Sequence, residues 1–308
     1  MMVAAEDVQS VIPPKFDWKP LFGRPERFAV MDLTGMIVMP DMSIPGTNAP
    51  VIDPDEVMPK LREISESGMF SGLLLHINSP GGSALASDII WEGIQRVRTR
   101  MPVVAYCTDV VGSGGYYLAV SADHIVCHDV SITGSIGVVT GSFSASDLVD
   151  KTGVNVESIY DDEADTFTSI IHPLGDEMMD RLSEDARSFY RRFLQRVGQN
   201  RELPKRRLHR YARGRVYLGD DAERRGLVDE LGSIDDALEA LGTLSDVDPE
   251  TVDIEFVAHR QPNLRQMLGL SVSAESFMPD ALTEPLLAAK MLEREHMLAL
   301  MPQVPKWT

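Results

Sequence analysis

The 308-residue chain is predicted to fold as an α/β protein with a mainly parallel, buried β-sheet. Near-continuous apolar runs of strand length occur in GLLLHIN (72–78), PVVAYC (102–107) and HIVC (124–127). Helical patterns and glycine-rich turns separate these runs. Strands that are apolar on both faces and alternate with helices indicate a parallel sheet that helices cover on both sides.

Apolar periodicity and capping residues predict the remaining elements. Asp53 and Pro54 are typical of a helix start, although Pro59 weakens that helix. The strongest helical pattern repeats apolar residues every three or four positions. The predicted segments are helices over 53–67, 84–100 and 175–199, an α/β unit over 214–241 and an edge strand at 255–259.

The chain divides into a central domain and two terminal segments. Residues 1–27 are rich in proline and polar residues, which predicts an arm over the surface. Residues 28–270 form the predicted α/β domain. Residues 271–308 are rich in Met and Leu, and a helical pattern at 285–301 predicts a helical tail. This tail is expected either to pack as a helix or to lie in a groove of a neighbouring chain.

Composition excludes several classes of function. The formal net charge of -18, from 47 acidic and 29 basic residues, repels nucleic acid and anionic lipid. The basic cluster at 205–215 is expected to be a solvated or subunit-facing stripe. Cys107 and Cys127 lie in apolar runs and are expected to be buried, reduced thiols. No secretory leader or long apolar segment is visible, which predicts a cytoplasmic protein without a stable membrane anchor.

Two glycine-flanked turns follow two of the predicted buried strands, at Asn78–Gly82 and Gly112–Tyr116. Ligands of open α/β sheets bind beyond the carboxyl ends of the strands, where both turns would lie. We expect the Ser113 hydroxyl to stand exposed as a nucleophile at the start of a helix. The alternative is a purely structural role, in which the segment is a tight strand-to-helix turn and Ser113 only caps the helix.

The backbone N–H groups near Gly81, Gly82 and Gly114 are expected to approach a substrate carbonyl closely. Such N–H groups form an oxyanion hole, which stabilises the negative charge that develops during acyl transfer. Ser135 is expected to shape the wall of the groove. No spacing of His, Cys and carboxylate residues matches a usual metal motif, so we expect neither a metal nor another cofactor.

Four segments in the same order resemble the signal peptide peptidase A (SppA) family of serine peptidases, the S49 group. They are INSPGGS (77–83), VGSGGYYLAVSAD (111–123), ITGSIGV (132–138) and GRVYLGDDAERRGLVDELGSIDDAL (214–238). The resemblance covers about residues 28–270. It implies a ClpP/crotonase-like spiral of ββα units, as a single domain with terminal arms, usually assembled as a homo-oligomeric ring or dome. It also implies that Ser113 is the nucleophile and that Gly81, Gly82 and Gly114 serve the oxyanion.

The chain departs from this family at the general base. The family pairs its serine with a desolvated lysine, but YDDEADTFTSIIHPL has Asp165 or Thr166 at that place, and no lysine occurs over 152–204. His172 and Lys151 are the candidate catalytic bases within the chain. His124 and His128 are weaker candidates. A lysine from a hetero-oligomeric partner, or no base at all, remains open.

Three functions are therefore compared. The leading hypothesis is a serine endopeptidase that cleaves peptides or unfolded proteins through an acyl-enzyme on Ser113. The second is a pseudopeptidase or scaffold ring that binds peptides without cleaving them, because an unactivated serine is a weak nucleophile. The third, an acyl-CoA enzyme, would share the oxyanion glycines but would not need an exposed serine.

Overall fold

The structure is a computed structural model that describes residues 27–40, 50–141, 151 and 175–257, and the backbone of 297–300. The strands are β1 (Arg27–Thr34), β2 (Met36–Ile37), β3 (Val51–Ile52), β4 (Gly72–Ser79), β5 (Gly81–Ser83), β6 (Val103–Gly112), β7 (His124–Cys127), β8 (Ile132–Gly134), β9 (Val139–Thr140), β10 (Val216–Leu218), β11 (Glu230–Leu231), β12 (Asp253–Phe256) and β13 (Met297–Leu300). The helices are α1 (Pro54–Ser67), α2 (Ala84–Arg98), α3 (Gly114–Ala119), α4 (Asp176–Asn200), α5 (Lys205–Tyr211), α6 (Gly219–Arg224) and α7 (Ile234–Ser245).

The large sheet is mainly parallel, as predicted. Its strand order is β10-β8-β6-β4-β1-β12, with β7 beside β6 and β11 beside β7. Every pair is parallel except β10 with β8. The edge strand predicted from EFVAH is β12, which pairs with β1. The central strands β4 and β6 therefore end at the same edge of the sheet.

Side chains from both faces of this sheet are buried, which explains the continuous apolar runs. Leu73, Leu75 and Ile77 of β4 belong to a large core with α1, α2, α3 and α4, whereas Leu74 packs on the opposite face with Leu241 of α7. Both cysteines are buried and free, as predicted, at paired positions of β6 and β7.

The predicted helices form with small shifts of their ends. Asp53 caps α1 by accepting a hydrogen bond from the Asp55 amide, and Pro59 lies within this helix. Helix α4 is amphipathic and buries Phe189 and Phe193 against the core, as its apolar repeat predicts.

A second sheet has the strand order β3-β2-β5-β13-β9. Its strand β13 differs from the prediction, since the sequence pattern predicts that residues 285–301 are helical. Backbone pairing with β5 and β9 gives this segment extended neighbours, and such tertiary pairing overrides local helix propensity. Arg27, the last residue of the predicted N-terminal arm (1–27), begins β1, and the rest of that arm lies outside the described residues. Apart from Met297–Leu300, the predicted tail also lies outside them.

Candidate functional site

The structure brings the two glycine-flanked turns together at the carboxyl ends of β4 and β6. Ser79 at the end of β4 pairs with Val111 near the end of β6. The first turn of α3 then packs on the Ser79 backbone. A Cβ atom added to Gly115 would lie 2.5 Å from the Ser79 carbonyl oxygen, so only glycine permits this approach. The two turns therefore form one continuous surface.

Ser113 occupies a strained backbone conformation between β6 and α3. Its φ is 51° and its ψ is -112°, outside the regions that non-glycine residues favour. The Ser113 amide donates to the Gly134 carbonyl at 2.9 Å, and its own carbonyl accepts from the Tyr117 amide at 2.8 Å. Strain of this kind costs roughly 1–3 kcal/mol and persists where surrounding contacts enforce it. A sharp strand-to-helix turn is also how α/β hydrolases present their nucleophile.

The side chain of Ser113 is neither exposed nor a helix cap, the two roles expected from the sequence. It is fully buried, with 0% exposure, rather than exposed. It also makes no capping hydrogen bond to α3. The hydroxyl instead donates to the Gly137 carbonyl oxygen at 3.3 Å, because the turn directs it towards the segment that follows β8.

That segment, residues 134–137, contributes more to the site than the sequence indicated. Gly134 and Gly137 supply the two carbonyl groups that hold the amide and the hydroxyl of Ser113. Ser135 also has a positive φ, of 49°, and its amide donates to the Arg215 carbonyl at 2.7 Å. The signal was present in the sequence, since ITGSIGV places two glycines around this serine.

A pocket opens beside this segment. Its volume is about 580 Å³, and Ser135 and Gly137 line it. His209 of α5 and Arg213 also line the pocket.

The three glycines expected to serve an oxyanion have different surroundings. The Gly81 amide donates to the Ser79 hydroxyl at 3.2 Å, within its own turn. At Gly82, φ is 151° and an added Cβ would lie 2.0 Å from the Ile37 carbonyl oxygen, so glycine is needed for β5 to pack on β2. Gly114 begins α3, where the first amides have no acceptor within the helix.

Of the two predicted bases, only Lys151 lies within the described residues. Lys151 is exposed, whereas a dyad lysine would be desolvated. His172, with Asp165 and Thr166, lies outside the described residues.

His124 and His128 are too far away to act on Ser113 within one chain. His124 pairs with Val104 near the amino end of β6, about 30 Å along the strand from Ser113, and contacts Glu230 at 3.2 Å. The His128 amide donates to the Cys107 carbonyl, which places it roughly 15–20 Å from Ser113.

Two buried tyrosines fix the helix that follows Ser113. The Tyr116 hydroxyl donates to the Leu227 carbonyl at 2.7 Å, and the Tyr117 hydroxyl donates to Asp88 of α2 at 2.5 Å. Burial raises the pKa of Tyr116, and burial with the Asp88 carboxylate raises the pKa of Tyr117. Both tyrosines therefore remain neutral anchors for α3 near neutral pH.

The described residues contain no group of three or more His, Cys, Asp or Glu side chains placed to hold a metal ion. Within the same ranges, no helix combines the length and the apolar character needed to cross a bilayer.

Comparison with known proteins places this arrangement among peptidases. The model of peptidase family S49 matches residues 95–248. The chloroplastic serine protease SPPA of Arabidopsis thaliana is 35% identical over 221 residues, which cover 71% of this chain and 32% of that protein. Protease 4 of Haemophilus influenzae is 31% identical over 240 residues, covering 77% of this chain and 37% of that protein. The chain thus spans about a third of the length of these relatives.

Among solved structures, the membrane-bound stomatin-specific protease 1510-N aligns with a TM-score of 0.47 and 14% identity. The alignment covers 76% of this chain and 98% of that chain.

Proposed function

The chain belongs to peptidase family S49, with the ClpP/crotonase-like fold of that family, and from this premise we propose that it is a serine peptidase whose nucleophile is Ser113. The observation that carries the proposal is the strained conformation of Ser113, with φ of 51°, at the carboxyl end of a buried parallel strand. A chain has no structural need to place a non-glycine residue there. The hydroxyl is the part of serine that glycine would not supply.

The proposed reaction is acyl transfer. The Ser113 oxygen forms a bond to the carbonyl carbon of the peptide while its proton passes to a base. The same proton then moves to the leaving amine as the peptide C–N bond breaks. Water, deprotonated by the base, hydrolyses the resulting ester and regenerates the serine. We propose that the Gly114 amide, at the start of α3, donates a hydrogen bond to the oxyanion. One such donor stabilises the transition state by roughly 3–4 kcal/mol.

The Gly137 carbonyl defines the resting state of the proposed nucleophile. It accepts the Ser113 proton at 3.3 Å but cannot remove it, so the hydroxyl must turn to a base before it attacks. We propose the imidazole of His172 as that base, because it stands in the family's TSIIHPL-like segment. A lysine from a second subunit of an oligomer is the alternative source.

Substitution of Ser113 tests the proposal. Ser113→Ala should lower hydrolysis of an unfolded protein at least about a thousandfold, because the acyl-enzyme can no longer form. It should also abolish covalent labelling by a serine-reactive phosphonate, measured by mass spectrometry of the peptide that contains position 113. The matched control is Ser121→Ala. Ser121 is another fully buried serine, whose hydroxyl donates to the Leu118 carbonyl of α3, and its loss should leave labelling intact.

A second candidate function is a pseudopeptidase that binds peptides without cleaving them. The buried Ser113 hydroxyl, bonded to a carbonyl group, favours it. Under this alternative, wild type and Ser113→Ala are equally unlabelled and bind an unfolded protein with the same affinity. Labelling of the wild type alone would dismiss it.

A further inference from the structure

Strand β13 lies between β5 and β9, beside the two glycine-flanked turns. Its residue Leu298 pairs with Ser83 of β5 on one side and with Val139 of β9 on the other, antiparallel to both. Leu300 pairs with Gly81, within the turn that faces α3. The four-residue strand therefore runs along the first glycine turn and beside the segment that holds the Ser113 hydroxyl.

The space between β5 and β9 has the width of one extended peptide. Neighbouring strands lie about 4.8 Å apart, so a strand that pairs on both edges joins two walls separated by about 10 Å. Without β13, the edges of β5 and β9 would present unpaired N–H and C=O groups. Such edges bind extended peptides by strand addition, with main-chain hydrogen bonds providing affinity.

We propose that Met297–Leu300 is an intramolecular ligand of the peptide-binding groove and competes with substrate for it. The strand occupies both edges that a peptide would use, and Ser113 is fully buried in the structure that contains it. The identification of this groove as a substrate site rests on the proposed function. Binding of the strand to the groove is independent of that function, because it needs only the edges of β5 and β9.

Intramolecular competition has a calculable size. A tethered segment acts at an effective concentration of about 1 mM. For a segment whose intrinsic dissociation constant is about 100 µM, the groove would be free in roughly a tenth of the molecules. The apparent affinity for an added peptide would fall about tenfold.

Proline at position 299 breaks the strand at a defined point. Ala299 pairs with Gly82 of β5, and the preceding residue, Leu298, pairs on both sides, with Ser83 of β5 and Val139 of β9. Ala299→Pro removes the backbone N–H group at this paired position and adds a ring to the backbone, and proline is disfavoured inside a strand that pairs with neighbours. Gln303→Pro is the matched control, because it adds a proline to the same tail outside the paired residues.

The experiment measures binding of a fluorescein-labelled peptide with the sequence of residues 293–303, by anisotropy, in full-length chains that carry Ser113→Ala to prevent cleavage. Ala299→Pro should bind the peptide about tenfold more tightly than the parent chain, and Gln303→Pro should match the parent. Equal affinity in all three chains, or equal gains in both proline variants, would overturn the proposal. A gain in affinity that depends on protein concentration would mean that the strand binds the groove of a second copy of the chain, which would overturn the intramolecular proposal.

The binding result is independent of catalysis. If phosphonate labelling of Ser113 fails while the Ala299→Pro chain gains affinity, the peptidase proposal fails and the groove proposal stands. If labelling succeeds but affinity is unchanged, the reverse holds. In a labelled wild type, Ala299→Pro should also increase the labelling rate, because the groove is open more of the time.

Discussion

The two glycine-flanked turns have similar sequences and lie side by side, yet they handle positive φ angles in opposite ways. In the first turn the positive values fall on Gly81 and Gly82, at 99° and 151°. In the second turn the positive value falls on Ser113, at 51°, although glycines flank it on both sides. The first turn uses residues that adopt such angles freely, whereas the second accepts the cost of a side chain.

The hydrogen bonds of the two turns show the same contrast. Ser79 in the first turn accepts from the Gly81 amide, so its hydroxyl stabilises its own loop. Ser113 directs its hydroxyl across to the Gly137 carbonyl instead. The first turn is therefore built for packing of β5 on β2, and the second is built to place one hydroxyl. Changes to the first turn should therefore lower stability.

The largest expected effect comes from Gly82→Ala. A methyl group would lie 2.0 Å from the Ile37 carbonyl oxygen, and the φ of 151° is unfavourable for alanine, so we expect the free energy of unfolding to fall by about 3 kcal/mol or more. Urea denaturation measures this loss. The control is Gly175→Ala, where no atom lies within 4 Å of the added methyl group, and its cost should stay within about 0.5 kcal/mol. A small effect at Gly82 would show that β5 and β2 separate easily.

The sequence predicts the large sheet well because burial on both faces leaves a continuous apolar run. The strands β4, β6 and β7 and the helices α2 and α4 follow from residues close together in the chain. By contrast, β13 is extended only because β5 and β9, more than 150 residues earlier, provide edges for it. Local propensity cannot contain that information, and the predicted helix at 285–301 is wrong over Met297–Leu300 for this reason.

The site was predictable in its location but not in its details. The two turns at the carboxyl ends of β4 and β6 follow from the parallel topology. The burial of Ser113 does not, because it depends on the path of residues 134–137 after β8. The general base also could not be deduced, since the segment that departs from the family pattern contains several titratable residues and no lysine.

A smaller effect is expected at the helix that follows the second turn. Tyr116→Phe removes the hydrogen bond to the buried Leu227 carbonyl and should cost about 1–2 kcal/mol at pH 7. Burial raises the pKa of Tyr116 above its ordinary value of 10.0, so the stabilisation is fully present below pH 10 and is lost as the pH rises further. The difference between the two chains should therefore shrink above pH 10 in urea denaturation.

Tyr217→Phe provides the comparison for this prediction. The Tyr217 hydroxyl donates to the Tyr211 carbonyl at 2.9 Å, but the side chain is only half-buried, so its removal should cost less. Equal losses in the two variants, or a Tyr116 effect that persists unchanged at pH 11, would contradict a buried anchor for α3.

The smallest effect isolates the strain at the second turn. Ser113→Gly and Ser113→Ala both remove the hydroxyl and its bond to Gly137, so both should be inactive. They differ in backbone freedom, because glycine adopts a φ of 51° without the steric cost that alanine keeps. Release of roughly 1–3 kcal/mol of strain, less the greater entropy that glycine loses on folding, leaves Ser113→Gly about 1 kcal/mol more stable. Denaturation of the two inactive chains under one condition measures this difference. If Ser113→Ala proves as stable as Ser113→Gly, the second turn stores no strain and the contrast between the two turns is lost.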